Sequence, residues 1–417
     1  MKNSIKIIIT GLFALSAAYG QEKGIKLINV YEKSFNEPIV DVIFDTATVS
    51  IKEAKKMGWK DEAFTKEEKS KGKGKILYAK VVIFKETRHG KPTKLIKFFN
   101  KDGSLKKVYK TGNYAEVLFS ENEKFIGITT PTKWYNGEHE SKFTMINTEG
   151  KILWELEGLG TGPYVPSPNG KYCIGEESSE FESSPVSIYS KKGLEKVIKK
   201  NFSGFWIGFQ EKENYFAIGV PMEFPKGKIL VLDSNLKVLF QDTTAAIFGD
   251  VGGGHYIAFS NTKNYIAYPV VKTEGSKGGI GVFNMSGRPL FKVYPQGRGN
   301  YKYKFSKDDK NILIYDTFGS CYFVDIRSAK ILWQRIVKAK GIGTVSVTPD
   351  FNTILVGIYP NKISLLDKEG NILLEDEIKN FLFLHVPKVK ISPKGDKFIV
   401  SDQRGTINAF YIKRRMP

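Results

Sequence analysis

The stretch ISPKGDKFIVS, residues 391–401, consists of two short apolar segments joined by a polar turn. Ser392, Pro393 and Gly395 are residue types that favour tight turns, and apolar residues stand on both sides of them. This pattern predicts a β-hairpin. An isolated hairpin is only marginally stable in water, so other strands must cover it.

The same pattern recurs along the chain at steps of roughly 40–50 residues. Each copy joins two apolar segments through a turn rich in Ser, Pro, Asn, Asp, Gly and Lys. A fixed period of this length indicates a repeat architecture. The seven copies are residues 118–128, 165–175, 209–219, 259–269, 305–315, 347–357 and 391–401.

A second type of hairpin recurs between these copies. In it, a polar tetrad carries Gly, Asn or Asp near the position that takes a left-handed backbone. Two hairpins in each period give four antiparallel strands, and no amphipathic helix separates them, which excludes a parallel βαβ sheet. The seven copies are residues 98–108, 145–155, 188–198, 231–241, 283–293, 324–334 and 365–375.

A repeated four-stranded unit predicts a β-propeller, because stacked blades cover each other's apolar faces around an axis. We predict one all-β domain over residues 21–417, an eight-bladed β-propeller of four-stranded antiparallel blades. Residues 39–44 and 76–84 open the first blade, and residues 24–31 supply the outer strand that closes the last blade. The alternative is a seven-bladed ring with residues 21–75 as an N-terminal extension.

Residues 46–75 form a long basic insertion in the first blade. Ser50 is a suitable N-cap for a short helix. From Ser50 to Lys75, nine lysines stand against five acidic residues, a net charge of +4. We expect a mobile surface excursion, and the alternative is an arm that docks on a partner or on an anionic surface.

The first 20 residues have the pattern of a secretion signal. Lys2 and Lys6 precede an apolar run over residues 7–18, and small residues stand just before Gln21. The run is short for a membrane span. We predict that residues 1–20 are a signal peptide and that the protein is periplasmic or extracellular, with an uncleaved N-terminal anchor as the alternative.

The net charge is strongly positive, at +20 from 64 basic and 44 acidic residues. Loss of Lys2 and Lys6 with the signal lowers it by two, to +18. Only eight of the 64 basic residues are Arg, whereas proteins that read nucleic acids rely on Arg for bidentate contacts. We therefore predict a solvated coat of lysines and no nucleic-acid partner. An anionic envelope surface or a glycan is the alternative partner.

The chain has two cysteines, Cys173 and Cys321, and both lie inside apolar, strand-like runs. The repeats place them three units apart, whereas a disulfide requires Cα atoms within about 7 Å. The sequence therefore predicts two buried free thiols.

Two of the hairpins resemble those of a known repeat family. Residues 147–154, NTEGKILW, and 325–333, DIRSAKILW, look like the D-x-x-T-G-K-x-x-W hairpin of bacterial quinoprotein-like (PQQ-type) propellers. The turns at 167–171 and 392–397 are similar to the WD40-like, or YVTN, repeat. The resemblance covers nearly all of the chain after the signal and implies the propeller fold. It implies little about activity, because propellers include enzymes, scaffolds and sensors.

The chain departs from the quinone-binding members of this family, whose channel site the resemblance would imply. It has no adjacent pair of cysteines. Trp154 and Trp333 lie on outer hairpins, where we expect them to pack between blades and not to form a cofactor floor. No WD dipeptide occurs, and the lipid-bearing Cys of outer-membrane assembly lipoproteins with this repeat type is missing. We predict no cofactor.

The residues that usually carry catalysis or bind metals form no recognisable motif. No pair of histidines has a metal-ligand spacing such as H-x-x-x-H, and no G-x-S-x-G elbow occurs. Asp308 and Asp309 lie in a hairpin turn, where we expect a solvated pair. We predict no metal site and no catalytic residue. The four histidines are His89, His139, His255 and His385.

One face of the ring carries the loops that join the second and third strands of each blade and the loops that join successive blades. We call it the loop face. Aromatic residues and Arg at loop tips are the types that dominate binding hot spots. The predicted partner-binding residues on the loop face are Trp134, Tyr135, His139, Phe181, Met222, Phe224, Phe248, Arg298 and His385.

These observations favour a non-enzymatic function. We predict an exported, monomeric propeller that binds a protein partner through its loop face and acts as a scaffold of the cell envelope. The alternative is a quinoprotein-like or other enzyme with its site in the channel, namely a dehydrogenase, a lyase or a glycosidase.

Overall fold

In the part of the chain that it describes, the computed structural model consists of strands with two short α-helices and one 3₁₀ turn. Within the described residues there are 32 strands, labelled β1–β32 in chain order. The structure describes residues 25–35, 37–88, 91–120, 122–135, 138–160, 162, 164–176, 186–198, 206–210, 215–221, 226–233, 235–246, 257–262, 265–271, 278–293, 301–316, 319–336, 342–359, 361–378, 388–402 and 404–414.

These strands form eight antiparallel blades, numbered here from the first complete sheet in the chain. Blade 1 contains β2 (Ile39–Ser50), β3 (Lys73–Arg88), β4 (Lys91–Phe99) and β5 (Leu105–Lys110). Blade 2 contains β6 (Glu116–Phe119), β7 (Phe125–Tyr135), β8 (Glu138–Asn147) and β9 (Ile152–Leu159). Blade 3 contains β10 (Tyr164–Pro166), β11 (Tyr172–Glu176), β12 (Val186–Ser190) and β13 (Gly193–Ile198). Blade 4 contains β14 (Trp206–Gln210), β15 (Tyr215–Pro221), β16 (Lys226–Leu232) and β17 (Val238–Ala246).

The other four blades follow the same plan. Blade 5 contains β18 (Ala258–Phe259), β19 (Tyr265–Val271), β20 (Gly278–Asn284) and β21 (Pro289–Val293). Blade 6 contains β22 (Tyr301–Phe305), β23 (Asn311–Asp316), β24 (Ser320–Asp325) and β25 (Lys330–Ile336). Blade 7 contains β26 (Ile342–Val347), β27 (Thr353–Ile358), β28 (Lys362–Asp367) and β29 (Ile372–Glu377). Blade 8 contains β30 (Lys388–Ile391), β31 (Lys397–Ser401), β32 (Thr406–Arg414) and β1 (Ile25–Ser34).

The eight-bladed propeller predicted from the repeats is confirmed, and the seven-bladed alternative is wrong. Blade 1 is a complete four-stranded sheet, and β1 belongs to blade 8. The outer strand β17 of blade 4 also pairs at one position with the second strand β19 of blade 5, Ala245 with Val270.

Burial differs between the middle and the outer strands of a blade. Every residue of β12, β27 and β31 is buried, whereas most residues of the outer strands β5 and β25 are exposed. The middle strands are covered on both faces, so they carry continuous apolar runs in place of the alternation of a half-exposed sheet.

The hydrophobic core is divided among the junctions between neighbouring blades. Within the described residues, eight core clusters occur, one at each junction of the ring. On β11, Cys173 packs with Met145 of blade 2, while Ile174 packs with Phe216 of blade 4. Successive strand residues point to opposite faces, so each blade contributes to two clusters.

Blade 8 is closed by the N-terminal strand. β1 pairs antiparallel with β32 from Ile25 opposite Arg414 to Ser34 opposite Thr406, with a register shift between Asn29 and Tyr31. Asn29 Nδ2 also donates to Asn408 Oδ1 over 2.9 Å. This pairing joins the two ends of the described chain within one blade, and residues 35–38 then connect β1 to β2 of blade 1.

The insertion in blade 1 packs against this closure. It contains α1 (Ile51–Lys56), a 3₁₀ turn (Asp61–Ala63) and α2 (Lys66–Ser70). Ser50 caps α1 in a capping box, as predicted. Trp59 is buried and stacks on Tyr31 of β1 with ring centroids 5.3 Å apart. The insertion therefore packs against the N-terminal strand, and the prediction of a mobile surface excursion is wrong.

Lys397 connects the insertion with blade 8 and is only 1% exposed. Its ammonium group lies 3.2 Å from both carboxylate oxygens of Glu68 and donates to Lys75 O over 3.1 Å. A buried ammonium group is tolerated where it is paired and hydrogen-bonded. The turn between β30 and β31 of blade 8 is thus held by the insertion of blade 1.

The recurring Ser or Thr of the first hairpin has a structural role. Ser392 Oγ accepts the backbone N–H of Lys397 over 3.1 Å, and Ser306 Oγ accepts that of Asn311 over 3.0 Å. The hydroxyl thus satisfies a buried amide at the start of the second strand, which accounts for the repeated residue type.

Side chains of outer strands reach the next blade. Trp333 Nε1 of blade 6 donates to Lys368 O of blade 7 over 2.7 Å, and Trp154 Nε1 of blade 2 donates to Gly170 O of blade 3 over 2.8 Å. Arg335 Nε likewise donates to Gly370 O over 2.6 Å. The predicted inter-blade packing of both tryptophans is confirmed.

Two smaller expectations have different outcomes. Cys173 and Cys321 are buried free thiols, as predicted. Asp309, in contrast, is not solvated. It is 6% exposed and accepts the backbone N–H groups of Asn261 and Thr262 over 2.8 and 2.7 Å. Its carboxylate ties the first turn of blade 6 to that of blade 5.

Gly370 offers a test of the inter-blade contacts. It has φ +78°, and an added Cβ would lie 2.6 Å from a ring carbon of Trp333. Gly370→Ala should cost about 1–2 kcal/mol for the left-handed backbone, plus about 1–3 kcal/mol for the clash. Urea unfolding followed by tryptophan fluorescence measures the loss.

The matched control is Gly193→Ala. Gly193 has φ +107° with nothing within 4 Å of an added Cβ. This variant should show only the backbone cost. Equal destabilisation by the two substitutions would show that the contact between blades 6 and 7 is not tight.

A substitution of Lys397 tests the contact between blade 8 and the insertion. Lys397→Met leaves the Glu68 carboxylate in a largely buried position without its cation, so we expect a loss of about 3 kcal/mol in the free energy of unfolding. Lys394→Met, an exposed position of the same turn, is the control and should be nearly neutral. The pairing is unimportant if urea unfolding gives the same midpoint for both variants.

The pH dependence of stability provides a further test. Burial alone would raise the pKa of Glu68, but the amides of Lys75 and Thr65 together with Lys397 hold it below its usual 4.5. The unfolded chain therefore binds this proton more readily. The stabilisation is complete above pH 4.5 and is lost as the pH falls through the folded pKa. Glu68→Gln should reduce the drop in urea midpoint between pH 7 and about pH 3.5, and an unchanged drop would contradict this assignment.

Candidate partner-binding face

In blade 2, the hairpin formed by the two middle strands extends far towards the loop face. Its strands β7 and β8 have 11 and 10 residues, whereas the corresponding strands β11 and β12 of blade 3 have 5 each. Backbone pairing continues to the tip, where Trp134 is opposite His139 and Tyr135 is opposite Glu138. The structure thus brings the positions of three predicted binding residues together on one projecting ribbon.

A charged pair and a bulge lie next to the tip of this ribbon. Lys133 Nζ lies 2.9 Å from Glu140 Oε2 across the two strands, and both side chains are largely exposed. An exposed pair of this kind contributes roughly 0–1 kcal/mol, so it supports the register more than the stability. A register shift between Pro131 and Lys133 bends the ribbon.

A second projecting hairpin stands in the neighbouring blade 1. β3 and β4 remain paired as far as Arg88 opposite Lys91, and Lys85 is opposite Lys94. Burial lowers the pKa of Lys94, while Glu116 opposes that shift. The hairpin carries four basic residues against one acidic residue between positions 85 and 94. The neighbouring blades 1 and 2 therefore carry one hairpin with basic residues and one with aromatic residues in their sequences.

Sequence reasoning missed the length of both hairpins, although signals were present. Asn136-Gly137 is the dipeptide most typical of a two-residue hairpin turn, and it separates Tyr135 from Glu138. His89-Gly90 stands in the corresponding place between Arg88 and Lys91. The alternating residues on both sides of these dipeptides would have indicated long paired strands.

The other predicted binding residues lie outside the described residues, and their placement stays a prediction. They are Phe181, Met222, Phe224, Phe248, Arg298 and His385.

Metal binding, nucleophilic catalysis and membrane insertion each require features that can be checked in the described residues. In the described ranges, no group of three or more His, Cys, Asp or Glu side chains could hold a metal ion. Burial raises the pKa of Cys321 to about 12, with a further contribution from Asp316, so this thiol stays protonated at neutral pH. Of the helices that the structure describes, none has the length and apolar character to cross a membrane.

Solved structures with a similar fold support the architecture. BamB from Moraxella catarrhalis superimposes with a TM-score of 0.53 at 12% sequence identity, over 93% of this chain and 100% of that chain. The C-terminal WD40 domain of Sif2 gives the same TM-score and identity, over 93% of this chain and 98% of that domain. No protein-family model and no curated protein matches the sequence. At this identity the likeness shows the fold alone, a β-propeller.

Proposed function

We propose that this protein is an exported, non-enzymatic β-propeller that binds a protein partner through its loop face and acts as a scaffold of the cell envelope. The observation that carries this proposal is the β7–β8 hairpin, whose backbone pairing reaches Trp134 opposite His139 and Tyr135 opposite Glu138.

A paired ribbon is a favourable platform for binding. Ordering a flexible loop on association costs free energy, and a hairpin that is already paired to its tip avoids most of that cost. Trp and Tyr are among the residue types that most often dominate protein interfaces. Trp134 and Tyr135 therefore stand where rigid aromatic anchors are most useful.

The neighbouring basic hairpin indicates the character of the partner. Lys85 and Lys91 are exposed, and Arg88 lies between them in the sequence. Positive charge beside an aromatic anchor favours a partner with an acidic surface, because complementary charges steer association and fix orientation. Binding of this kind weakens as salt increases.

Export is supported by the N-terminal pattern of lysines, an apolar run and small residues before Gln21. An envelope location is proposed on this pattern. The folds of the similar structures support the propeller architecture, and the partner is argued from the two hairpins alone.

The proposal is tested by exchanging the aromatic tip. Trp134→Ala with Tyr135→Ala should reduce capture of a specific protein from envelope extracts at least tenfold, because the two anchors are removed while the paired strands remain. Quantitative mass spectrometry of the captured proteins gives the readout.

The matched control removes apolar surface elsewhere. Leu194 and Val197 of β13 are 55% and 43% exposed on the outer rim, so Leu194→Ala with Val197→Ala should leave capture unchanged. Equal recovery by the tip variant and the wild type would remove the hairpin as the binding site. Turnover with added pyrroloquinoline quinone, Ca²⁺ and a redox dye would instead favour the enzymatic alternative.

A further inference from the structure

Near its start, the outer strand carries a β-bulge in blades 1 to 7. In blade 4, Val238 and Phe240 of β17 are opposite adjacent residues of β16, so Leu239 between them is an extra residue. The same shift of register occurs in the other six blades of this set. The extra residue of a bulge is left unpaired in the ladder of hydrogen bonds.

In five of these seven bulges, the extra residue is a leucine. In blades 1 and 3 it is charged instead, namely Lys106 and Glu195. A charged side chain is therefore compatible with the bulge, and the fold itself does not require an apolar residue there. The five leucines are Leu153, Leu239, Leu290, Leu332 and Leu373.

Three of these leucines belong to blades 4, 5 and 6, which are consecutive in the ring. Together with the apolar residues that begin two of the same bulges, they form a set that is 39–49% exposed. Each bulge follows the turn between the third and the outer strand, so the set lies at the face opposite the loop face. We call it the leucine rim, and its members are Val238, Leu239, Leu290, Ile331 and Leu332.

Exposed basic residues accompany the leucine rim. Lys237 directly precedes Val238, Lys330 directly precedes Ile331, and both lysines are exposed. Arg288, also exposed, stands two residues before the leucine of blade 5. Residues 233–246, 284–293 and 325–336, which form these turns and outer strands, contain six basic and three acidic residues, a net charge of +3.

The three acidic residues are engaged within the fold. Asp233 Oδ1 accepts two backbone N–H groups of its own turn over 2.8 and 2.9 Å. Asp325 Oδ1 accepts the backbone N–H of Ser328 over 2.7 Å. Asp242 Oδ2 accepts the hydroxyl of Tyr268 in blade 5 over 2.6 Å.

Blade 7 has the same bulge with the opposite charge. Ile372 begins that bulge and is 46% exposed, much as in the leucine rim. Residues 367–378, however, contain five acidic residues and one basic residue, a net charge of −4. The combination of exposed apolar side chains with positive charge is therefore a property of blades 4 to 6 and is not a general feature of the outer strands.

We propose that the leucine rim docks on the surface of an anionic phospholipid bilayer. Apolar side chains would be buried at the boundary between headgroups and acyl chains, and the adjacent cations would attract the anionic headgroups. Docking at this face leaves the loop face directed away from the lipid. The inference is independent of the proposed protein interface.

A lipid surface suits this arrangement better than a second protein chain does. Edge-to-edge pairing with another copy is disfavoured, because the bulges interrupt the ladder at these leucines. A protein hot spot is a compact cluster in a well-packed pocket, whereas the leucines stand on three separate blades. A fluid lipid surface can receive each of these side chains separately.

Cosedimentation with vesicles tests the proposal, with the protein purified from the cell envelope. One set of vesicles contains phosphatidylcholine alone, and the other contains phosphatidylcholine with phosphatidylglycerol. We expect binding to the phosphatidylglycerol vesicles that is stronger than to the neutral ones and that weakens as salt increases. The triple variant Leu239→Ala, Leu290→Ala and Leu332→Ala should bind about tenfold more weakly, because apolar area is lost while all charges remain.

The matched control removes exposed apolar side chains from the bulges of the acidic blades 2 and 7. Ile152→Ala, Leu153→Ala and Ile372→Ala change residues that are 41%, 39% and 46% exposed. This triple variant should bind the phosphatidylglycerol vesicles as the wild type does. Equal weakening by the two triple variants would contradict docking through blades 4 to 6.

A fluorescent label provides a second readout that does not depend on the triple variant. Both native cysteines are buried, so a new exposed thiol can be labelled selectively. An environment-sensitive fluorophore on Leu332→Cys should shift to shorter wavelength with phosphatidylglycerol vesicles, whereas the same label on Ile372→Cys should not.

Three results would overturn the proposal. The first is no preference for phosphatidylglycerol vesicles over neutral ones. The second is wild-type binding by the leucine triple variant, which would assign any vesicle binding to the lysine coat; if that variant also lost a specific protein from envelope extracts, the rim would be a protein interface. The third is the same wavelength shift at both labelled positions.

Discussion

Each blade of this protein has two apolar faces, and only its neighbours can cover them. The described residues place one core cluster at every junction of the ring, and no cluster fills the interior of a single blade. Cys173 and Ile174, adjacent in one strand, belong to different clusters. A partial ring would expose two apolar faces to water, so closure of the ring is the constraint on which the rest of the structure depends.

The closure of the ring is reinforced in blade 8, where the N-terminal strand β1 pairs with β32. β1 adds the outer strand of blade 8, and Trp59 of the insertion stacks on Tyr31 of that strand. Lys397 joins the first turn of blade 8 to Glu68 in the insertion. The seam of the ring lies within blade 8, between β32 and β1, because residues 35–38 connect β1 directly to β2 of blade 1. The pairing of these two strands, the packing of the insertion and the buried ion pair hold this seam in place.

A ring held together at its junctions leaves two regions outside the core clusters. On the loop face, the backbone pairing of blade 1 continues to Arg88 opposite Lys91, and that of blade 2 continues to Trp134 opposite His139 and Tyr135 opposite Glu138. At the opposite face, the extra leucines of the bulges in blades 4 to 6 belong to none of the described clusters. Substitutions in either region therefore leave the core between the blades intact.

The sequence by itself determined the repeat, the four strands of each blade, the eight blades and the inter-blade role of Trp154 and Trp333, because these depend on local turn chemistry and on which strands are apolar throughout. It did not show that Lys397 is buried against Glu68, that Asp309 ties two blades, or that Lys388 meets Glu123. Each of these contacts joins residues far apart in the chain, where local patterns carry no information. A solvated lysine and a buried lysine cannot be told apart in the sequence. Only the packing of the closed ring decides which lysine side chains are removed from water.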